Sequence, residues 1–229
     1  MNSFASPQTL GALPFPPRAD DLYSRIFDAI LEQRIDAASR FTEESLAQMF
    51  SARRSDVRDV LTRLSHQQII VLRTNHRPRV AALDHEQTRQ TLHARRLAEI
   101  TLVRLACQQH QPQDLQPLRA LIESERHCIA HGPSIRLSGE FHLRLAEMAG
   151  NAPLAHFLCS LVPLTSLAIA QFDAQLEDYC VWQVHLGILE AVERRDPVAA
   201  VALLSRHLDY LEDMLLNAEP SISRNRVAG

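Results

Sequence analysis

The segment from Thr42 to Arg79 constrains the fold more than any other part of the chain. Its first part, TEESLAQMF, has the apolar spacing of a short helix, and SDVRDVLTRL has that of a second helix after a tight turn. Two runs typical of strands follow, Ile69–Arg73 and Arg77–Ala82, and the residues Thr74–His76 between them favour a turn. The predicted order of elements is therefore helix, turn, helix and β-hairpin.

Positive charge is concentrated in this segment. Residues 51–80 hold seven arginines against two acids, whereas the whole chain has a formal net charge of −3. In a winged helix-turn-helix, the second helix enters the major groove of DNA and the hairpin, or wing, lies along the phosphates. The candidate DNA contacts are Arg53, Arg54, Ser55 and Arg58 near the second helix, and Thr74, Asn75, His76 and Arg77 on the wing.

Capping signals predict where these helices begin. Thr42 is the expected N-cap of the first, with Glu43 and Glu44 in its first turn, where the helix dipole favours acids. Ser55 is the expected N-cap of the second, and an earlier helix is expected from about Asp20 to Arg34. The side chains expected to face the core are Leu46, Met49, Phe50, Val57, Val60, Leu61 and Leu64.

After residue 84 the pattern is helical throughout. We expect helices at about 85–109, 112–130, 133–149, 152–172, 175–194 and 197–217, four of which have a proline near their start, where it is tolerated. No stretch approaches the ~20 apolar residues of a membrane span, and no signal peptide is visible. The four cysteines form no CxxC pair, which is typical of reduced thiols in a cytoplasmic protein. We therefore expect a cytoplasmic protein without a membrane partner.

Two histidines are placed symmetrically about a predicted helix turn at Arg195–Pro197. His185 lies 11 residues before Asp196 and His207 lies 11 residues after it, so both lie about 16 Å from the turn at ~1.5 Å per residue. They can therefore face each other, and His142 would have to join them from another helix. Three converging imidazoles suit zinc, nickel or a similar transition metal, although buried histidines also occur simply hydrogen-bonded within a core.

The segment FTEESLAQMFSARRSDVRDVLTRLSHQQII resembles the DNA-binding domain of GntR-type bacterial transcription regulators. The positions that match the pattern of that family are Leu46, Ala47, Phe50, Arg54, Val57, Arg58, Leu61 and Leu64. The resemblance implies that Arg54 and Arg58 contact the operator and that the wing tip is Thr74–His76. The usual Gly-Val-Ser turn of the family is replaced by Ser51–Arg53, and the usual proline by Asp56. Asparagine or histidine stands in place of the wing glycine. The DNA sequence that this chain prefers is therefore expected to differ from that of close relatives.

The helical region resembles the FadR-like branch of the same family, whose C-terminal FCD domain is an all-helical antiparallel bundle. The motifs that carry this resemblance are Arg95-x-x-x-Glu99, Phe141-His142-x-x-Leu145 with Gly150-Asn151, and His185-x-x-Ile188-x-x-Ala191 with Arg195-Asp196 and His207-Leu208. The resemblance implies a metal site at His142, His185 and His207, with Ser138 in place of the usual aspartate ligand. We therefore expect a zinc or nickel ion to bind weakly or not at all, in a pocket without a carboxylate, and Arg95 to hold a carboxylate effector.

Together these features predict a mainly α chain, with an N-terminal winged helix-turn-helix and a C-terminal all-α antiparallel helical bundle. The expected parts are a flexible arm at 1–17, the DNA-binding domain at 18–83, an effector-binding and dimerisation domain at 84–218 and a flexible tail at 219–229. Apolar residues in Leu158–Ala170 exceed what one bundle should need, so we expect a homodimer formed through the helical domains.

Three functions are compatible with the sequence. The favoured one is a metabolite-responsive regulator of transcription, a repressor that binds double-stranded DNA and is released by a small organic acid. The alternative is a metal-dependent hydrolase or lyase that uses a three-histidine site with an open coordination position. Against it, HExxH is missing and no carboxylate stands out as a general base. The third is a helical scaffold with vestigial pockets.

Overall fold

The computed structural model describes residues 22–172 and 181–217; the expected arm at 1–17 and tail at 219–229 lie outside these ranges. Its elements confirm a mainly α fold, with a winged helix-turn-helix followed by a helical bundle. They are α1 (Leu22–Leu31), α2 (Glu43–Met49), α3 (Arg54–His66), β1 (Ile70–Val71), β2 (Arg79–Val80), α4 (His85–Gln109), α5 (Pro112–Arg126), α6 (His131–Glu147), α7 (Ala152–Phe172), α8 (Trp182–Glu193) and α9 (Pro197–Asn217).

The N-terminus of α2 is capped as the sequence predicts. The backbone N–H of Ser45 donates to Thr42 Oγ1 at 3.1 Å, and the Thr42 N–H donates to Ser45 Oγ at 2.9 Å, which completes a capping box. The prediction that Met49 faces inward is wrong, since its side chain is 58% exposed. The helix has only seven residues, and Leu46 and Phe50 already fill its buried face.

The predicted N-cap of α3 at Ser55 is wrong. Helix α3 begins at Arg54, with Arg53 in the extended N-cap position and no side-chain cap. The left-handed backbone of Ser51 (φ 51°) turns the chain early, so Ser55 lies inside the first helical turn. Asp56 lies in that turn too, where the helix dipole favours its negative charge.

The wing is shorter than the sequence predicts. Its strands have two residues each, paired antiparallel with Ile70 opposite Val80. Pro78, directly before β2, has no N–H to donate and cannot extend the ladder. The left-handed turn residue is Asn75, with φ 62°, as expected for asparagine.

In the helical domain, α4 packs on α7 and α9, α6 packs on α5 and α7, and α8 forms an antiparallel hairpin with α9. Helix α5 ends four residues earlier than predicted, and residues 175–180 of the predicted fifth helix lie outside the described ranges. The turn before α9 is fixed by polar contacts. Arg195 donates to the carbonyls of Gln108 and His110 at the end of α4, and Asp196 caps α9 by accepting from the N–H of Val198.

Helix α7 corrects two expectations. Residues Ala152–Gln171 have a mean hydropathy of 1.6, so by length and composition alone this helix could cross a membrane, contrary to the prediction that no stretch approaches this limit. Of that window, 56% is buried, against α4 and α6 among others. Most of the apolar side chains in Leu158–Ala170 are therefore buried in the core of their own bundle and do not provide an exposed apolar face for a dimer.

Helix α1 joins the two domains. Arg136 of α6 makes a forked ion pair with Asp28 of α1, with Nε–Oδ1 at 2.6 Å and Nη2–Oδ2 at 3.2 Å. Beside it, the helices approach so closely that a Cβ at Gly132 would lie 2.7 Å from Glu32 Cγ and 2.8 Å from the Asp28 carbonyl. Only glycine allows this approach, so the contact between α1 and α6 is specific.

Candidate DNA-binding surface and effector pocket

The start of α3 presents two of the predicted DNA-binding arginines. Arg54 and Arg58 lie one turn apart, and each side chain is about 60% exposed. Both guanidinium groups bind the carboxylate of Glu43, the first residue of α2. The hydrogen bonds from Arg58 lower the pKa of Glu43 most, and with the added effect of Arg54 they outweigh burial and hold this pKa at about 2. Sequence analysis placed Glu43 only as an acid at a helix start and missed this contact.

The predicted contacts Arg53 and Ser55 are differently placed. Arg53 Nε donates to Asp56 Oδ2 at 2.9 Å, and Ser55 Oγ lies 3.2 Å from Asp56 Oδ1. The hydrogen bond from Arg53 lowers the pKa of the Asp56 carboxyl. The charge of Arg53 is therefore balanced locally, and the position at which the resemblance leads one to expect proline holds a carboxylate in the first turn of α3.

The wing and α3 border one groove. All four predicted wing residues are exposed, and the tip is closed by a bond from the His76 N–H to the Arg73 carbonyl at 3.0 Å. The groove is lined by Thr42, Glu43, Glu44, Arg54, Leu72, Arg73, Asn75, His76, Arg77 and Pro78. Of the predicted DNA contacts, the structure thus brings Arg54 of α3 together with Asn75, His76 and Arg77 of the wing in one groove.

The structure brings the three predicted imidazoles together inside the helical domain. His142 of α6, His185 of α8 and His207 of α9 are each at most 3% exposed, and their candidate ligand nitrogens lie within 4.8 Å of one another. The Nε2 atoms of His142 and His207 are 3.2 Å apart. Ser138, also buried, lies one turn before His142 on α6.

The expectation of a pocket without carboxylates is wrong. Glu99 Oε2 lies 2.6 Å from His142 Nδ1, and Glu125 Oε2 lies 2.8 Å from His185 Nδ1. Both acids are buried. The sequence singled out Glu99 but missed Glu125, because Glu125 is 60 residues from His185 and no local spacing relates them.

Burial sets the charge of the pocket. It lowers the pKa of His142 to about 4, that of His185 to about 3 and that of His207 well below its usual value, so the imidazoles are neutral near pH 7. Burial raises the pKa of Glu125 to about 7. At Glu99 burial also acts to raise the pKa, but Arg95 and His142 outweigh it and hold the value at about 2.

These residues fit a transition-metal ion. His142 donates its Nδ1–H to the ionised Glu99, which leaves the Nε2 lone pair facing the cluster, and metals bind such neutral imidazoles. His185 Nε2 is buried and has no hydrogen-bond partner among the described residues, a state that costs about 1–3 kcal/mol unless something binds it. Two nitrogens of a tetrahedral zinc site lie about 3.4 Å apart, close to the separation of the His142 and His207 nitrogens.

Arg95 is buried beside the histidines but is not an uncompensated cation. Its Nε donates to Glu99 Oε1 in an ion pair that is 3% exposed on each side. An anionic effector at Arg95 would therefore meet a guanidinium whose charge is already balanced. The predicted effector-binding residues Arg95, Ser138 and the three histidines all lie in this buried part of the bundle.

Comparison with known proteins gives the family. A model described as the FCD domain matches residues 90–210, just over half of the chain. The HTH-type transcriptional repressor NanR of Cronobacter sakazakii (strain ATCC BAA-894) is 27% identical over 193 residues, and the alignment covers 73% of each chain. The Nta operon transcriptional regulator of Aminobacter aminovorans is 26% identical over 188 residues, which cover 80% of this chain and 89% of that protein.

Solved structures share the same architecture. E. coli McbR/YncC superposes with a TM-score of 0.71 at 16% identity, over 86% of this chain and 95% of that one. A chain described as a GntR transcriptional regulator from Rhodococcus sp. RHA1 has a TM-score of 0.67 at 19% identity, over 86% and 97%. The relatives support a metabolite-responsive transcription regulator and not the metal-dependent hydrolase. This chain belongs to the FCD-domain branch of the GntR family of transcription regulators.

Proposed function

We propose that this regulator is a homodimeric repressor that reads a palindromic operator through α3 and the wing, and that a small organic acid bound among the histidines releases it. The observation that carries the proposal is that α6 holds both His142 of the pocket and the Arg136 contact to α1 of the DNA-binding domain. An effector that shifts α6 therefore acts directly on the orientation of that domain. When bound to its operator, the protein is associated with the nucleoid.

A zinc or nickel ion is part of the proposal. His142, His185 and His207 would hold it, and it would supply a Lewis-acidic position for a carboxylate oxygen of the effector. Ser138 offers a neutral hydroxyl where the family has an aspartate, so binding is expected to be weak. Glu99 and Glu125 favour a cation from the far side of the imidazoles, although neither lies in the cluster of candidate ligands.

The proposal is tested by ligand-linked stability and DNA binding together. Small carboxylates are screened for a rise in the thermal unfolding midpoint, with and without added zinc or nickel, because a ligand stabilises the fold that it binds. Compounds that stabilise the protein are then added to its complex with a duplex enriched from a random library. We expect at least one to release the DNA. Stabilising compounds that all leave DNA binding unchanged would contradict the effector role of the pocket.

A further inference from the structure

We propose that Glu43 is a positioning residue for DNA reading, which holds the guanidinium groups of Arg54 and Arg58 so that their forks face the major groove. The inference rests on the proposed role of these two arginines in reading the operator. Glu43 does not touch DNA in this arrangement but acts through the arginines.

The contact is a three-bond clamp. Glu43 Oε2 accepts from Arg54 Nε at 3.0 Å and from Arg58 Nη2 at 2.8 Å, and Glu43 Oε1 accepts from Arg58 Nε at 3.0 Å. The backbone at Glu43 is well anchored, because Glu43 directly follows Thr42, the N-cap residue of the capping box. Exposed arginines otherwise sample many rotamers, and fixing one costs up to about 2 kcal/mol of side-chain entropy. Because the clamp already restricts the arginine rotamers in the free protein, this entropy is not lost on DNA binding.

The donors that remain are those needed for base reading. A guanidinium has five N–H donors, and the clamp uses one from Arg54 and two from Arg58. Arg54 keeps both terminal nitrogens, while Arg58 keeps Nη1 and one proton on Nη2. An end-on fork of this kind binds O6 and N7 of guanine, the commonest specific contact in the major groove.

The clamp also changes the balance between specific and non-specific binding. Two arginines and one ionised carboxylate leave a single net positive charge at the start of α3. Because non-specific affinity comes from phosphate neutralisation, a carboxylate here weakens binding to every DNA sequence. The fixed guanidinium groups form their base contacts only where guanines are correctly placed. Glu43 therefore lowers general affinity and raises discrimination.

The experiment compares affinities for two probes: the duplex most enriched from a random library by the full-length protein, and a shuffled duplex of the same length. The variants are Glu43→Gln, Glu43→Asp and, as matched control, Glu44→Gln, which removes the neighbouring exposed acid. We expect Glu43→Gln to bind the shuffled duplex more tightly and to lose about tenfold in the ratio of the two affinities. The Glu44→Gln control should raise both affinities equally.

Glu43→Asp separates position from charge. It keeps the negative charge, but a carboxylate one methylene shorter does not reach both arginines, so the affinity ratio should fall without a gain on shuffled DNA. If Glu43→Gln raises both affinities by the same factor and Glu43→Asp matches the parent, Glu43 only repels phosphate and the inference is wrong. Equal thermal unfolding midpoints show that the variants are folded.

Arg54→Ala and Arg58→Ala are measured beside these variants. If both lose discrimination while the Glu43 variants keep it, only the positioning role is refuted. If neither arginine variant loses discrimination, the recognition surface itself is wrongly assigned, and the role of Glu43 falls with it.

Discussion

Glu99 and Glu125 each bind the Nδ1 side of a buried imidazole, and this determines which ring nitrogen faces the cluster. Glu43 acts in the same indirect way on Arg54 and Arg58 at the other end of the molecule. In both places a carboxylate orients the side chains that would meet a ligand. Residues of this kind determine binding geometry without belonging to the contact surface.

The recognition arginines give the first prediction. Arg54→Ala and Arg58→Ala should each weaken binding to the enriched duplex by about 1–3 kcal/mol, the usual value of one good base contact. Arg53→Ala is the internal control and should have a smaller effect, because Asp56 already balances its charge. Fluorescence anisotropy at fixed salt measures all three. Unchanged affinity in both recognition variants would mean that α3 does not read the bases.

The metal site gives the second prediction. Purified protein should contain metal at well below one equivalent, because three neutral imidazoles and a hydroxyl bind a divalent ion weakly. Ser138→Asp restores a charged ligand one turn before His142 and should raise the metal content. Elemental analysis of both forms, with His207→Ala as a control that removes a ligand, measures the effect. One full equivalent in the parent protein would contradict the weak site.

At the scale of elements, α6 connects the pocket with the DNA-binding domain. Gly132 and Arg136 near its start contact α1, and Ser138 and His142 follow further along the same helix. A second polar contact joins the domains, since Gln171 of α7 donates to the Ala81 carbonyl at 2.7 Å. The segment after the wing is therefore also attached to the bundle.

The ion pair between α6 and α1 gives the third prediction. Arg136→Met should lower the free energy of unfolding by about 1–3 kcal/mol, because Asp28 loses its partner in a largely buried position. Burial already raises the pKa of Asp28 against the effect of Arg136, so the unpaired acid is expected to take up a proton. Urea denaturation measures the change.

The matched control is Arg34→Met, which breaks the exposed pair of Arg34 and Glu32. Exposed pairs contribute at most about 1 kcal/mol, so this variant should stay close to the parent. Equal destabilisation by the two substitutions would show that the α1–α6 contact is not a specific junction.

At the scale of the whole molecule, the prediction of a homodimer now rests on other residues than the sequence suggested. Helix α7 is mostly buried in its own bundle, but the helical domain still exposes large apolar side chains. These are Leu97, Ile129, Phe157, Val198 and Tyr210. A palindromic operator requires a two-fold protein, and exposed apolar side chains are typical of the surfaces that form one.

The assembly gives the fourth prediction. Light scattering should give a dimeric mass, because the operator half-sites of a winged-helix protein are read by two subunits. Leu97→Glu and Phe157→Glu test the exposed face, with Met49→Glu in the DNA-binding domain as the control. A monomeric mass for the parent protein would refute the dimer, and dimeric glutamate variants would place its interface elsewhere.

The sequence by itself determined the order and type of the elements. Helix periodicity, the Thr42 cap and the left-handed Asn75 turn depend on residues a few positions apart, so they can be inferred locally. The equal distance of His185 and His207 from the turn between their helices can also be read from the local sequence. The local concentration of charge also singled out the arginines, and the resemblance to a known family added their operator contact and the third histidine.

Only the tertiary structure decided which distant side chains meet. Glu125 reaches His185 across 60 residues, and Glu43 binds arginines on the next helix. Packing also determined that Met49 is exposed and that most of α7 is buried in the core of the helical bundle. These outcomes depend on the angles and distances at which the helices pack. Many side-chain contacts from distant parts of the chain determine that packing together, so it cannot be inferred from any short segment.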